Sequence, residues 1–329
     1  MAPRPARAHA GALPLAEGRL SDLDPPPDDP WEGDEQPGPA RGLGAKVGAY
    51  VALTKPRIIE LLLVTTVPAM IVAARGWPSL WLVLATLTGG TLAAGGANAI
   101  NCYLDRDIDR IMRRTRHRPL PQHRVEPRNA LIFGIALGLA SFALLWTAVN
   151  LLSALLATGA LLFYVLVYTV GLKRTTPQNI VIGGAAGAVP AVVGWAAVTG
   201  RIDAPALVMF GIVFYWTPPH FWALALRYER DYALAGVPMM PVVYGRDETA
   251  KHILLYCLLL FALSLMLFTV ARLGFVYLVG AVVLNAAFTA QAIRLRRRPS
   301  PAAAWSMFRF SIYHLGLLFA AMAADALLG

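Results

Sequence analysis

The sequence predicts an all-α polytopic membrane helix bundle of about nine transmembrane helices, and three observations carry that prediction. The chain is 57% hydrophobic and only 15% charged across its 329 residues, a membrane composition. Its apolar residues fall in runs of roughly twenty, the length a helix needs to cross a bilayer at 1.5 Å per residue. Those runs are rich in Leu and Ala and too long for strands, and backbone groups in lipid must be satisfied within the segment.

The first stretch, residues 1–45, stands apart, with Pro, Gly, Asp, Glu and Ala dominating as in Asp24-Pro-Pro-Pro-Asp-Asp-Pro-Trp31. Such a segment buries too little apolar surface to order itself, so a disordered cytoplasmic tail is expected, followed by one membrane domain over 46–329. No charged n-region leads into an apolar core there, so it does not read as a secretory signal. Apolar spans are then expected at 58–75, 79–104, 128–148, 151–170, 179–199, 205–226, 251–270, 272–293 and 305–327. Lys and Arg alternate between the connecting loops. They crowd at Lys46, Lys55 and Arg57, between Arg106 and Arg124, at Lys173 and Arg174, from Arg227 to Lys251, and from Arg294 to Arg298. The other loops hold only Arg75, Arg201 and Arg272. By the positive-inside rule the N-terminus is inside and the C-terminus outside, which an odd number of spans requires. The net charge of +10 is thus spread over loops rather than gathered on a soluble module, which argues against nucleic acid. Cys102 and Cys257 specify neither a disulfide framework nor a zinc site.

Ionisable residues set against a span are expensive and mark function. After the second span the chain reads Asn98-Ala-Ile-Asn-Cys-Tyr-Leu-Asp105-Arg-Asp-Ile-Asp109. Asn101, Asp105 and Asp109 recur at i, i+4 and i+8, which stacks them on one face of a helix. Such a ladder suits a hard cation, since Mg²⁺ takes one or two carboxylates and shares the rest of its shell with phosphate and water. Arg113, Arg114 and Arg118 follow, suited to gripping diphosphate oxygens in bidentate fashion. The plainer reading is a solvated helix end laced with salt bridges. A second constellation is Trp216-Thr-Pro-Pro-His220-Phe-Trp222, with Glu229 and Asp231 beyond it. Pro218 and Pro219 are expected to interrupt the helix and expose backbone at a cavity. His220 is then either a ligand-facing residue or a hydrogen-bonded core histidine. Third, Lys173 and Arg174 end the fourth span, as part of the same mouth or simply as anchors.

In these motifs the sequence resembles the UbiA-type intramembrane prenyltransferases, and in particular their haem-farnesylating branch. Asn101-x-x-x-Asp105-x-x-x-Asp109 is similar to the first aspartate-rich motif of that family. Arg-Thr-Arg-x-Arg-Pro-Leu-Pro, Thr-Pro-Gln-Asn-Ile-Val-Ile-Gly-Gly and Trp-Thr-Pro-Pro-His-Phe-Trp fall in the branch's order, from about Lys55 to the C-terminus. The second aspartate-rich motif departs from the wider family, offering Glu229 and Asp231. The resemblance implies transfer of farnesyl from farnesyl diphosphate to a vinyl group of haem B, giving haem O, in the cell membrane. It implies Mg²⁺ as cofactor on Asn101, Asp105 and Asp109, with Asp231 completing the catalytic set. Arg114, Arg118, Lys173 and Arg174 would take the diphosphate, and His220 and Asn98 the haem. A downstream haem-modifying or oxidase-assembly protein is the partner such a product implies. Prenylation of a quinone precursor or chlorin, and a cation-coupled transporter, are the competing readings.

Overall fold

A computed structural model of the chain describes residues 42–329, apart from the side chains of 57–63. All of the expected disordered tail but its last residues lies outside the described part. The described residues form helices and contain no strand. In order these are α1 (Leu43–Thr54), α2 (Pro56–Ala74), α3 (Leu80–Leu104), α4 (Ile108–Ile111), α5 (Pro127–Ala148) and α6 (Leu151–Leu172). There follow α7 (Asn179–Thr199), α8 (Ala204–Arg227), α9 (Glu229–Leu234), α10 (Met240–Val270), α11 (Phe275–Arg297) and α12 (Pro301–Leu328). Among the described residues 8 helices are long and apolar enough to cross a membrane, and α2 occupies the position of the remaining expected span. The fold is the all-α bundle that the apolar runs foretell.

With no water in the bilayer to drive helix pairing, close van der Waals approach holds such a bundle, and small residues permit it. On α3 and α5 a Cβ at Gly96 would stand 2.7 Å from the Gly134 carbonyl, and one at Gly134 would stand 2.6 Å from Ile100 Cγ1. Neither position admits a side chain. Helix α8 runs through the core, burying Met209, Ile212, Trp216 and Trp222. Leu139, Trp146, Leu155, Leu166, Leu258, Val283 and Tyr313 stand exposed, an apolar exterior suited to lipid. Helix ends are closed by distant side chains: Asp325 of α12 accepts from the N–H groups of Gly274 and, at 3.1 Å, Tyr277, where α11 begins. Arg75 donates to the Ala271 carbonyl, 2.6 Å away, where α10 ends.

One local expectation is corrected. Pro218 and Pro219 do not interrupt their helix, since α8 continues through both. Proline removes the N–H groups that would meet carbonyls 214 and 215, yet packing fixes the backbone here. Trp216 Nε1 donates to the Ser311 carbonyl at 2.9 Å, and Thr217 Oγ1 donates to Val213 O at 2.9 Å. The break lies instead in α10, at Gly245 with φ 81° and ψ 176°, a conformation open to glycine and closed to L side chains.

Candidate active site

The acidic ladder sits where α3 stops. Asp105 caps that helix with φ −89° and ψ 3°, and Asp109 belongs to the short α4. The expectation of one continuous helical face is therefore corrected, although the register survives the break. Asp105 N–H donates to Asn101 O and Asp109 N–H to Asp105 O, each at 2.9 Å, so the i to i−4 pattern carries across. Asn101, Asp105 and Asp109 are 2%, 0% and 1% exposed. Carboxylates so sealed require internal counter-charge.

The basic residues supply it. Lys173 forms an ion pair with Asp105 Oδ2, and Arg174 lies 3.6 Å from Asp105 Oδ1. Arg174 also grips Asp107 through both guanidinium nitrogens, at 2.6 and 2.7 Å, which holds that carboxyl below its usual range. Arg118, on the loop after α4, donates to both oxygens of Asp109 at 2.9 and 2.8 Å. Lys55, between α1 and α2, donates to Asn101 Oδ1 at 2.7 Å, and burial pulls its ammonium down to about 8. Asn101 Nδ2 in turn donates to Asp105 Oδ2 at 2.7 Å and to Thr169 Oγ1 at 3.1 Å. Four cations thus face three carboxylates, leaving this network with a positive excess.

A local irregularity aims two of these groups. Helix α6 changes from α to π geometry over Phe163–Leu172, a form rare outside functional sites. Thr169 Oγ1 bonds Tyr164 O at 2.9 Å and Lys173 N–H bonds Tyr168 O at 2.8 Å, both five residues back. The wider turn brings Thr169 to Asn101 and Lys173 to Asp105. Tyr168 meanwhile lies so close to α7 that a Cβ at Gly183 would stand 2.3 Å from its ring.

Asp231 joins this end of the bundle from the other side. It is 3% exposed and accepts from the Arg114 N–H at 3.4 Å, while Arg114 reaches Tyr232 Oη at 3.3 Å. Burial pushes the Asp231 carboxyl up. Glu229, also buried, pairs with Arg246 at 2.8 Å across the Gly245 kink. Asp231 shares no bond with Asn101, Asp105 or Asp109; it connects to them through the loop that carries Arg114 and Arg118.

The structure does not bring Asn98 to His220. Asn98 Nδ2 is spent on the Thr54 carbonyl at 2.9 Å, tying α3 to the end of α1. His220 lies instead against α12, with Nδ1 2.6 Å from Ser311 Oγ. Its ring stacks on Trp216 with centroids 4.3 Å apart and lies 4.6 Å from Phe308. Sequence reasoning also missed Lys55, Thr169 and Asp107 as members of the network. The positive-inside rule already explains a lysine at a span's entrance, and nothing in the sequence marks the π turn.

Among the described residues no three His, Cys, Asp or Glu side chains converge as a ready-made metal cage. A cation such as Mg²⁺ takes few protein ligands and the rest of its shell from phosphate and water. The donors on hand are the Asn101 amide oxygen and the carboxylates of Asp105 and Asp109. Asp105 Oδ1 is sealed and accepts no hydrogen bond, a buried oxygen that a cation would satisfy.

Residues 62–315 match the UbiA prenyltransferase family. The protoheme IX farnesyltransferase of Parafrankia sp. (strain EAN1pec) is 55% identical over 283 residues, which span 85% of this chain and 90% of that one. That of Frankia alni is 54% identical over 290 residues, spanning 86% and 99%. Among solved structures, a digeranylgeranylglyceryl phosphate synthase shares the fold at TM-score 0.72 and 19% identity, over 86% of this chain and 99% of that one. A UbiA homologue from Archaeoglobus fulgidus, bound to GPP and Mg²⁺, does so at TM-score 0.56 and 18% identity, over 83% and 99%. The chain belongs to the UbiA prenyltransferase family, alongside its protoheme IX farnesyltransferases.

Proposed function

We propose that this protein transfers the farnesyl group of farnesyl diphosphate to a vinyl group of haem B, giving haem O. The observation that carries the reading is the buried, net positive network around Asn101, Asp105 and Asp109, in a chain 55% identical to a protoheme IX farnesyltransferase. An excess of cations beside a sealed carboxylate oxygen is equipment for a metal-complexed diphosphate. Asn101, Asp105 and Asp109 would hold Mg²⁺, which would supply Lewis-acid stabilisation to the departing diphosphate.

The chain's own residues do the rest. Arg118, Lys173 and Arg174 turn guanidinium and ammonium donors toward the diphosphate oxygens and neutralise the charge that builds as the allylic C–O bond breaks. Arg114, fixed by Tyr232 and by the hold of Asp231 on its backbone, reaches the same leaving group. Asp231 thereby positions the loop that delivers Arg114 and Arg118. The vinyl π-bond takes up the farnesyl carbon, and water captures the carbon beside the porphyrin and gives up a proton, leaving a hydroxyethylfarnesyl substituent and free diphosphate. Tyr168 presents a ring face that favours cationic intermediates. His220 is the haem contact, while the Nδ2 of Asn98 is engaged by the Thr54 carbonyl.

The basic loops support an N-terminus in the cytoplasm, a C-terminus outside and residence in the plasma membrane. The bilayer is then the surrounding partner, and a haem-modifying or oxidase-assembly protein receives the product. To test the reading, membranes containing the protein are given haem B, farnesyl diphosphate and Mg²⁺, and extracted pigment is weighed by mass spectrometry. A farnesylated, hydrated haem is expected. Prenylation of a quinone precursor or chlorin in place of haem would overturn it.

A further inference from the structure

His220, Trp216 and Arg227 share one face of α8, because seven residues return a helix to within about 20° of its starting direction. Facing them on α12 are Trp305, Phe308 and Ser311. The Ser311 hydroxyl donates to the Phe308 carbonyl at 2.6 Å, so toward His220 its oxygen accepts. His220 therefore carries its proton on Nδ1, and the lone pair sits on Nε2. That nitrogen has no protein partner among the described residues, in a residue that is 7% exposed. Trp216 and Phe308 clamp the ring's two faces, and the hydrogen bond of Trp216 to the Ser311 carbonyl fixes the clamp. This is how a protein presents an imidazole to a metal, with the second nitrogen's N–H held and the ring orientation set. His314 offers a contrast. Its Nε2 meets Asn285 Oδ1 at 3.3 Å while its Nδ1 is sealed without a partner, so it has nothing to present.

Arg227 lies about 10 Å along the helix from His220. Its guanidinium stands 4.6 Å over the Trp305 ring, its Nε is buried without a hydrogen bond, and no carboxylate pairs with it among the described residues. Trp305 stacks on Phe308 at 5.2 Å, and Phe308 lies against His220. A lone-pair nitrogen, a run of half-buried aromatic faces and an unpaired cation thus follow one another between α8 and α12. A flat metalloporphyrin bearing carboxylates calls for these three chemistries together.

We propose that haem docks along this α8–α12 strip, with His220 Nε2 as the axial ligand of its iron and Arg227 pairing with a propionate. The inference rests on the haem-farnesylating function and names where that substrate sits.

The experiment titrates the full-length protein in nanodiscs with haemin and, separately, with metal-free protoporphyrin IX. The wild type is expected to give a histidine-ligated Soret and electron paramagnetic resonance signature. His220→Gln should lose that signature and weaken haemin binding by about 10- to 100-fold, the range typical of a disturbed metal site, while protoporphyrin binding holds. Added imidazole should restore the signature in His220→Gly. Arg227→Gln should weaken haemin and protoporphyrin alike. An unchanged haemin spectrum in folded His220→Gln, or equal loss of both porphyrins in that variant, overturns the assignment. Product formation by the wild type is measured on the same preparation. Turnover with a His220-independent haem spectrum defeats the docking site alone, whereas a wild type that neither binds haemin nor farnesylates it defeats the functional reading as well.

Discussion

Replacing Asp109 by Asn separates two consequences of one ion pair. Arg118 donates to both carboxylate oxygens, and the side chains are 19% and 2% exposed for Arg118 and Asp109 respectively. Removing one member of a buried pair typically costs about 3–5 kcal/mol because the other charge is stranded. Some solvent still reaches Arg118 and asparagine keeps one acceptor oxygen, so roughly 2–3 kcal/mol of destabilisation is expected for Asp109→Asn. Turnover should fall by about 10²- to 10³-fold, the usual loss when a preorganised charge is taken from the transition state. The double variant Asp109→Asn with Arg118→Met should regain most of the stability, since no charge is left stranded, and regain none of the activity. Pyrophosphate without metal should raise the melting temperature of Asp109→Asn more than that of the wild type, because the freed guanidinium accepts it. Melting curves in nanodiscs and turnover by pigment mass provide the comparison. Strictly additive stability losses in the double variant, or wild-type turnover in Asp109→Asn at limiting Mg²⁺, would refute the reasoning.

Other parts of the structure give sharper separations between stability and chemistry. Lys55→Met removes the ammonium from Asn101 Oδ1. A charged hydrogen bond is worth about 1.5–3 kcal/mol, so kcat/KM for farnesyl diphosphate should drop about 10- to 100-fold, with KM for haem as the unmoved control. Gly183→Ala drives a methyl into Tyr168 and should cost about 1–3 kcal/mol by overpacking; if Gly183→Ala with Tyr168→Leu melts no higher than Gly183→Ala alone, the clash is not the cause. Asp325→Ala should cost about 0.5–2 kcal/mol through the lost helix cap with kcat unchanged, and a large loss of kcat would contradict a purely structural role. Burial raises the Asp231 carboxyl, so the fold favours its protonated form. Its contribution to stability is then greatest below the ordinary carboxylate range and declines as pH climbs to the raised value. Asp231→Asn should flatten that acid limb of the melting profile, and an unchanged limb would show that another group sets it.

The bundle itself was legible because length and hydropathy decide it: a bilayer accepts helices of about 20 apolar residues and little else. The acidic ladder was legible for a related reason, since a period of four is visible in sequence whether or not the helix holds. Asp105 ends α3 and Asp109 starts a new helix, yet the backbone bonds keep the register. What failed was inference about tertiary partners. Lys55 is 46 residues from Asn101, and no local pattern encodes that distance. Asn98 shares the stretch that carries the ladder, but it lies three residues before Asn101 and its amide points to α1. Pro218 and Pro219 carry a local rule that tertiary packing overrides, because Trp216 anchors the segment to α12. The π turn at Phe163–Leu172 leaves no mark in composition at all.

The arrangement of charges explains how such a site can be built before any substrate arrives. Of the three carboxylates at the end of the apolar bundle, the two sealed ones, Asp105 and Asp109, would be costly to leave uncompensated. Each is instead met by a lysine or arginine drawn from a different part of the chain: Arg118 from the loop after α4, and Lys173 and Arg174 from the end of α6. These ion pairs fasten the loops to the junction of α3 and α4, so the groups that hold the mouth together are the groups a diphosphate would engage. Because the cations outnumber the carboxylates, a polyanion meets residual positive charge rather than a neutral surface. The Asp105 oxygen that accepts no hydrogen bond leaves one position where a divalent cation adds an interaction without first displacing a hydrogen-bond donor. The same pairs therefore serve stability in the free protein and charge stabilisation during transfer, which is why stranding Arg118 is expected to register in both the melting curve and the rate.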